Sequence, residues 1–231
     1  MTSSSKQGPI VTLDGPAGAG KSSTAKEVAK RLDFLHLDSG ALYRALTFAL
    51  LDDGVPEATW GGLSESDLRA LDIIVIPTEA GFDVVGGGRV LTDELRTTEV
   101  TSRVAHLASL PASRASLLAL QRVAGTRGRL VADGRDMGTV VFPEAEVKIF
   151  LVADLEERAR RRLKDEGLAE PSIVQVVSQA EAIAERDRRD SERAISPLKQ
   201  PEAAHVIDTT KLSFAEQVDR IVELVEELTL P

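Results

Sequence analysis

The chain has 231 residues, 42% of them hydrophobic, a formal net charge of -9 and no cysteine. That length suits one α/β core carrying inserts, and the missing cysteines exclude disulfides and thiolate zinc sites. The acidic balance argues against a general nucleic-acid binder, and no run reaches the roughly 18 apolar residues of a membrane span.

The polar tail over residues 1–8 has no signal-peptide core. The protein is expected to be soluble, cytoplasmic and monomeric, with no nucleic-acid or membrane partner.

Residues 9–14 (PIVTLD) are short, apolar and β-branched, as a central parallel strand buried on both faces requires. Gly15-Pro16-Ala17-Gly18-Ala19-Gly20-Lys21-Ser22 follows, with the spacing G-x-x-x-x-G-K-S. Ala25, Val28, Ala29 and Leu32 then recur at helical spacing, which predicts a helix over 22–32 that takes in Ser23. Strand, glycine loop and helix in that order make an anion nest. Glycines let backbone N–H groups turn inward, and the helix adds its positive end. Lys21 can reach the β and γ phosphates of a nucleotide, and the Ser22 hydroxyl suits Mg2+.

A second strand over 34–37 ends at Asp38-Ser39-Gly40, where a helix carrying Tyr43 and Arg44 begins. Ligands gather at that edge of an open α/β sheet, so Ser39 and Arg44 are better placed for substrate than for packing. Residues 52–62 read as a break and 64–71 as a short helix. Residues 72–77, 81–85 and 89–91 read as small antiparallel strands forming an inserted lobe. Helices are expected over 92–110 and 111–127, with Pro111 in the first turn. His106 reads as a surface or packing residue, and Trp60, His36 and His205 carry no functional reading.

Residues 129–133 are the next core strand, and Gly134-Arg135-Asp136-Met137-Gly138 leaves its carboxyl end. Asp133 is either a carboxylate supporting Mg2+ or a turn carboxylate. Arg135 and Asp136, opposite charges on a glycine-flanked loop, read as recognition groups. A strand over 147–152 precedes a helix with Glu157, Arg158, Arg160, Arg161 and Arg162. Residues 173–190 form a second helix. This arginine-studded hairpin either closes over a nucleotide or is a solvent-facing hairpin with paired Glu and Arg. A strand over 204–208 and an amphipathic helix over 213–230 complete a five-stranded parallel sheet.

No base-reading N-K-x-D stretch is present, which argues against a GTPase. A phosphate loop with a second arginine-rich anion pocket and a lid fits a small kinase. An acceptor that is itself a phosphate needs no general base, because its oxygen is already anionic near neutral pH. Holding two polyanions in line is then work for Lys, Arg and Mg2+.

In IVTLDGPAGAGKSS, LDSGALYRA, LRTTEV, ADGRDMGTVVFPEAEVKIFL, EERARRR and ERDRRDSERAISPL the chain resembles the bacterial cytidylate kinases, a family of nucleoside monophosphate kinases. The resemblance runs almost end to end. It implies an α/β, P-loop NTPase-type fold: a five-stranded parallel core, a small β-containing monophosphate-binding lobe and a helical lid. Core residues would be 8–62, 111–157 and 196–231, with the insert at 63–110 and the lid at 158–195. It implies transfer of the γ-phosphoryl of ATP to CMP or dCMP, with Mg2+, in pyrimidine nucleotide metabolism.

By that resemblance Arg44 and Arg135 hold the acceptor phosphate. Ser39, Arg114, Asp136 and Arg193 read the cytosine edge, while Arg186 and Asp190 lie near the sugar. Arg162 is the lid arginine at the transferring group, Arg158 and Arg161 being its neighbours in the same set. Ala105 stands where the family commonly has a serine on the acceptor's sugar; Ser102 or Ser109 are the candidate substitutes. The alternatives are a kinase for another small acceptor, such as UMP, shikimate or dephospho-coenzyme A, and a nucleotide-gated binding protein.

Overall fold

A computed structural model describes residues 8–229. The tail at residues 1–7 and the expected helix end at Leu230 lie outside the described residues. The core sheet has five parallel strands: β1 (Ile10–Asp14), β2 (Leu35–Asp38), β6 (Leu130–Asp133), β7 (Val147–Val152) and β8 (His205–Asp208). Their spatial order is β2-β6-β1-β7-β8, so β1 is central and every residue of it is buried. Alternation along the strands sorts side chains between two layers. Val11, Leu13 and Val131 pack with α1 (Lys21–Leu32) and α8 (Phe214–Thr229) on one face. Ile10, Leu130 and Ala132 face α2 (Ser39–Asp52), α4 (Thr98–Ser109) and α5 (Pro111–Ala124) on the other.

Helix starts have local causes. Asp38 caps α2 by accepting from Ala41 N at 3.1 Å. Ser64 and Asp67 form a reciprocal capping box on α3 (Glu65–Arg69), and Ser172 with Gln175 does the same for α7 (Ile173–Ser191). Pro111 opens α5.

The inserted strands β3 (Ile74–Pro77), β4 (Phe82–Gly86) and β5 (Arg89–Val90) form a separate antiparallel sheet in that order. Val84, Leu91 and Leu95 share one apolar cluster with core residues, so the insert is packed onto the sheet's α2 face. It also meets the edge of β2, where a Cβ on Gly81 would lie 2.6 Å from the His36 carbonyl. Trp60 is buried in this layer, with its indole N–H donated to Val55 O at 3.1 Å.

Three local expectations are corrected. The helix expected over 92–110 is a 3-10 turn, Asp93–Arg96, followed by α4. Thr97 breaks it, because its side chain accepts from Val100 N at 3.3 Å and starts a new helix. The break over 52–62 contains a 3-10 helix, Glu57–Gly62. The segment read as a plain glycine-flanked loop after β6 winds into a π-helical turn, Met137–Val141. Among the described residues no helix is long and apolar enough to cross a membrane.

Candidate active site

The register places Asp133 beside both Leu13 and Asp38, so the carboxyl ends of β1, β2 and β6 form one edge. The glycine loop leaves that edge. Gly15 has φ +149°, and a Cβ there would lie 2.2 Å from the Leu151 carbonyl, so only glycine fits. Gly20, at φ 85°, precedes α1 and gives it no side-chain cap. Its first-turn N–H groups therefore lack the acceptor that a Ser or Asp would supply, which suits an anion.

Lys21 begins α1 with its side chain buried and its Nζ donated to Pro16 O at 2.6 Å. Burial, then the nearby Arg135, pushes its ammonium well below the usual lysine range. Ser22 Oγ donates to Asp133 Oδ2 at 2.6 Å, and His36 Nε2 meets Asp133 Oδ1 at 2.8 Å. Ser22 and Asp133 thus bring two hard oxygen donors together near Lys21, a donor set that fits Mg2+.

Across the cleft, α2 delivers Ser39 and Arg44, α5 delivers Arg114, and α7 delivers Arg186 and Asp190. Asp136 pairs with Arg114 in a buried ion pair, and the Arg114 guanidinium lies over the Tyr43 ring at 5.2 Å. Asp190 accepts from Arg135 Nε at 3.0 Å and has Arg193 Nη1 at 3.7 Å, so one carboxylate orients two arginines. The Nε atoms of Arg44 and Arg186 are buried without a hydrogen-bond partner. Burial, then Arg135, lowers the Arg186 guanidinium to about 10, and burial also lowers Arg44. Cations crowded against each other and short of partners make a site for a polyanion.

All these groups open on one cleft of about 960 Å³. From the loop it takes Ala17, Gly18, Gly20, Lys21, Ser22 and Ser23; from the far side it takes the acceptor set with Asp133, and from α6 (Leu155–Asp165) Arg161 and Arg162. Arg162 also pairs with Glu166 at 2.7 Å, and Arg161 donates to Thr209 O at 2.6 Å. Gly15, Pro16 and Ala19 shape the loop without lining the cleft.

Arg158, expected among the catalytic groups, does not line the cleft; its guanidinium is turned into the protein, toward Ala17 O, Ala153 O and Asp187. Ser102 and Ser109 do not line the cleft either, since each hydroxyl is donated to a carbonyl of its own helix. Ala105 does line it, between Val104 and Ala108. Asp14, His36 and Asp187 are the residues that sequence reasoning missed. No local pattern marks them, because each acts on a partner distant in the chain. His106 meets Glu57 at 2.8 Å and stacks on Trp60 at 5.9 Å, a packing role.

The cytidylate kinase family model matches residues 11–227. The chain belongs to the cytidylate kinase family. It is 46% identical over 216 residues to a cytidylate kinase of Exiguobacterium sibiricum, covering 94% of this chain and 96% of that one. Against the cytidylate kinase of Bacillus subtilis it is 43% identical over 217 residues, again covering 94% of this chain and 96% of the relative. Among solved structures, an uncharacterized protein from Eubacterium ventriosum shares the fold with a TM-score of 0.53 at 12% identity, covering 96% of this chain and 99% of that one. As a cytidylate kinase family member the chain is a nucleotide-binding phosphotransferase. Its phosphate loop and its arginine cluster are the two halves such a reaction needs.

Proposed function

We propose that this chain transfers the γ-phosphoryl group of ATP to CMP, and to dCMP, releasing ADP and CDP or dCDP. The observation that carries the reading is the convergence on one cleft of Lys21 with Arg44, Arg135 and Arg186, of which Arg44 and Arg186 each keep a buried Nε without a hydrogen-bond partner. ATP would lie along the phosphate loop, its β and γ phosphates at Lys21 and at the first turn of α1. Arg44 and Arg135 hold the phosphate of CMP. Ser39, Arg114, Asp136 and Arg193 face the cytosine edge, and Arg186 with Asp190 the sugar and phosphate side. The Asp136 carboxylate accepts from the exocyclic amine of cytosine, which uracil lacks.

An anionic oxygen of the CMP phosphate attacks the γ-phosphorus, the bond from that phosphorus to the bridging oxygen breaks, and ADP leaves with the electron pair. No side chain has to remove a proton. Lys21, Arg135 and Arg162 neutralise charge on the moving group and keep the two oxygens in line. Ser22 and Asp133 would hold Mg2+, which supplies further charge neutralisation at the donor's phosphates.

In this reading residues 63–110 form the acceptor lobe and 158–195 the lid of a monomeric cytoplasmic enzyme. A coupled assay that offers CMP, UMP, AMP and GMP separately with Mg-ATP tests it. ADP release is expected with CMP first; release that ignores the acceptor, or prefers UMP, rejects it.

A further inference from the structure

Ala17, on the phosphate loop, is held from behind by both helices of the α6–α7 hairpin. Its N–H donates to Asp187 Oδ1 at 2.8 Å, and its carbonyl accepts from Arg158 Nη1 at 2.9 Å. Its methyl belongs to the small apolar core of the hairpin, with Ala159, Leu163 and Val176. Arg158 and Asp187 are themselves an ion pair, and neither lines the cleft. The next residue leaves no slack: a Cβ on Gly18 would lie 3.1 Å from Arg158 Cβ.

Both backbone polar groups of one loop residue are thus spent on charged side chains, and charge-assisted bonds are the stronger class. The two side chains cancel each other's charge, so no net anion is brought beside the donor's phosphates. Arg158 stands one helical turn before Arg161 and Arg162, and pinning it sets the direction in which that turn faces.

We propose that Arg158 and Asp187 are positioning residues that lock the base of the α6–α7 hairpin to the phosphate loop through Ala17, and so hold the turn of α6 that carries Arg161 and Arg162 at the cleft. This rests on the reading of the loop as the ATP site. The hairpin then reports the state of the loop directly: disturbing Ala17 disturbs the lid arginines.

The test is a mutant cycle in the full chain. Arg158→Met, Asp187→Asn and Asp187→Ala are made alone and in an Arg161→Ala/Arg162→Ala background, with kcat, both KM values and Tm measured. Arg158→Met is expected to lower kcat about 10²-fold, the cost of a small misplacement, with KM for CMP held within about twofold. Asp187→Asn, which keeps an acceptor for the Ala17 N–H, should lose less kcat than Asp187→Ala. In the doubly substituted background Arg158→Met should cost far less than it does alone. Effects that add within about twofold, or a lowered Tm with unchanged kcat, overturn the proposal. If Arg158→Met does not fold, the isosteric Asp187→Asn carries the same cycle. Lys21→Ala separates the two failures. Full activity in that variant rejects the ATP-site reading, whereas its inactivity beside an additive cycle rejects the positioning role alone.

Discussion

Gly138 donates its N–H to the Asp14 carboxylate at 2.7 Å, across 124 residues of sequence. Met137 N donates to the other oxygen at 2.8 Å. Asp14 is the last residue of β1, directly before the phosphate loop, while Met137 directly follows Asp136. One buried carboxylate therefore ties the donor loop to the acceptor loop.

Asp14→Asn should loosen that tie and reveal its pH dependence. Burial is the largest influence on the Asp14 carboxyl, which is raised from 3.8 to about 6. Between those values the folded state binds more protons than the unfolded one, so this group's contribution to stability falls as pH rises from about 4 through about 6. Asparagine cannot titrate. The Tm difference between the parent and Asp14→Asn is thus expected to be larger at pH 5 than at pH 7.5, by scanning calorimetry at both values. A difference that does not change would show that the carboxyl is not perturbed.

Lys21→Met should separate activity from stability. The ammonium is buried among arginines, and burial followed by the charge of Arg135 pushes its pKa down. Burying that charge costs stability below the folded pKa, and the cost is relieved as pH rises from there toward 10.5. The methionine variant is expected to melt at or above the parent's temperature at pH 7 without ligand. Its kcat should drop by roughly 10²- to 10³-fold or more, as when a charge-stabilising donor is removed. Retained activity would contradict the assignment of the loop.

The sheet was legible in the sequence because its strands are short β-branched runs between glycine-rich turns, and 147–152 matches β7 at both ends. The phosphate loop was legible because its function lies in local spacing. What escaped depends on neighbours that only the folded sheet creates. His36 meets Asp133 because β2 and β6 pair in register, and nothing near either residue announces this. The inward turn of Arg158 was hidden for a different reason. In a run of arginines on one helix, spacing cannot say which face meets the cleft and which meets Asp187. Thr97 hid its helix break because Thr98 and Thr101, the same residue type, stand inside the helix it starts.

Asp136→Asn should relax the choice of base. The carboxylate can only accept, which suits the cytosine amine, whereas an amide can also donate to the oxygen of uracil. A fall of about 10- to 100-fold in the CMP-over-UMP ratio of kcat/KM is expected from the loss of one such contact, with ATP binding unchanged. Asp136→Ala is the harsher variant, since it leaves Arg114 buried and unpaired, at a cost of about 3–5 kcal/mol. Steady-state kinetics with both acceptors decides; an unaltered ratio in Asp136→Asn would remove Asp136 from base reading.

Ala105 makes the last prediction. Its methyl lines the cleft, and the two nearby serines turn their hydroxyls back onto their own helix. At residue 105 the 2′-hydroxyl of CMP therefore gains no hydrogen bond that dCMP must forgo, and the parent enzyme should discriminate between them less than a variant with a hydroxyl there. Ala105→Ser adds one donor on a half-buried helix face without crowding the core. A new hydrogen bond of ordinary strength, about 0.5–1.5 kcal/mol, should raise the CMP-over-dCMP ratio of kcat/KM by roughly 2- to 10-fold. The rise should come through CMP, since dCMP has no 2′-hydroxyl for the serine to meet. Equal ratios in parent and variant, or sharper discrimination by the parent, would mean that the sugar is read by a group other than residue 105.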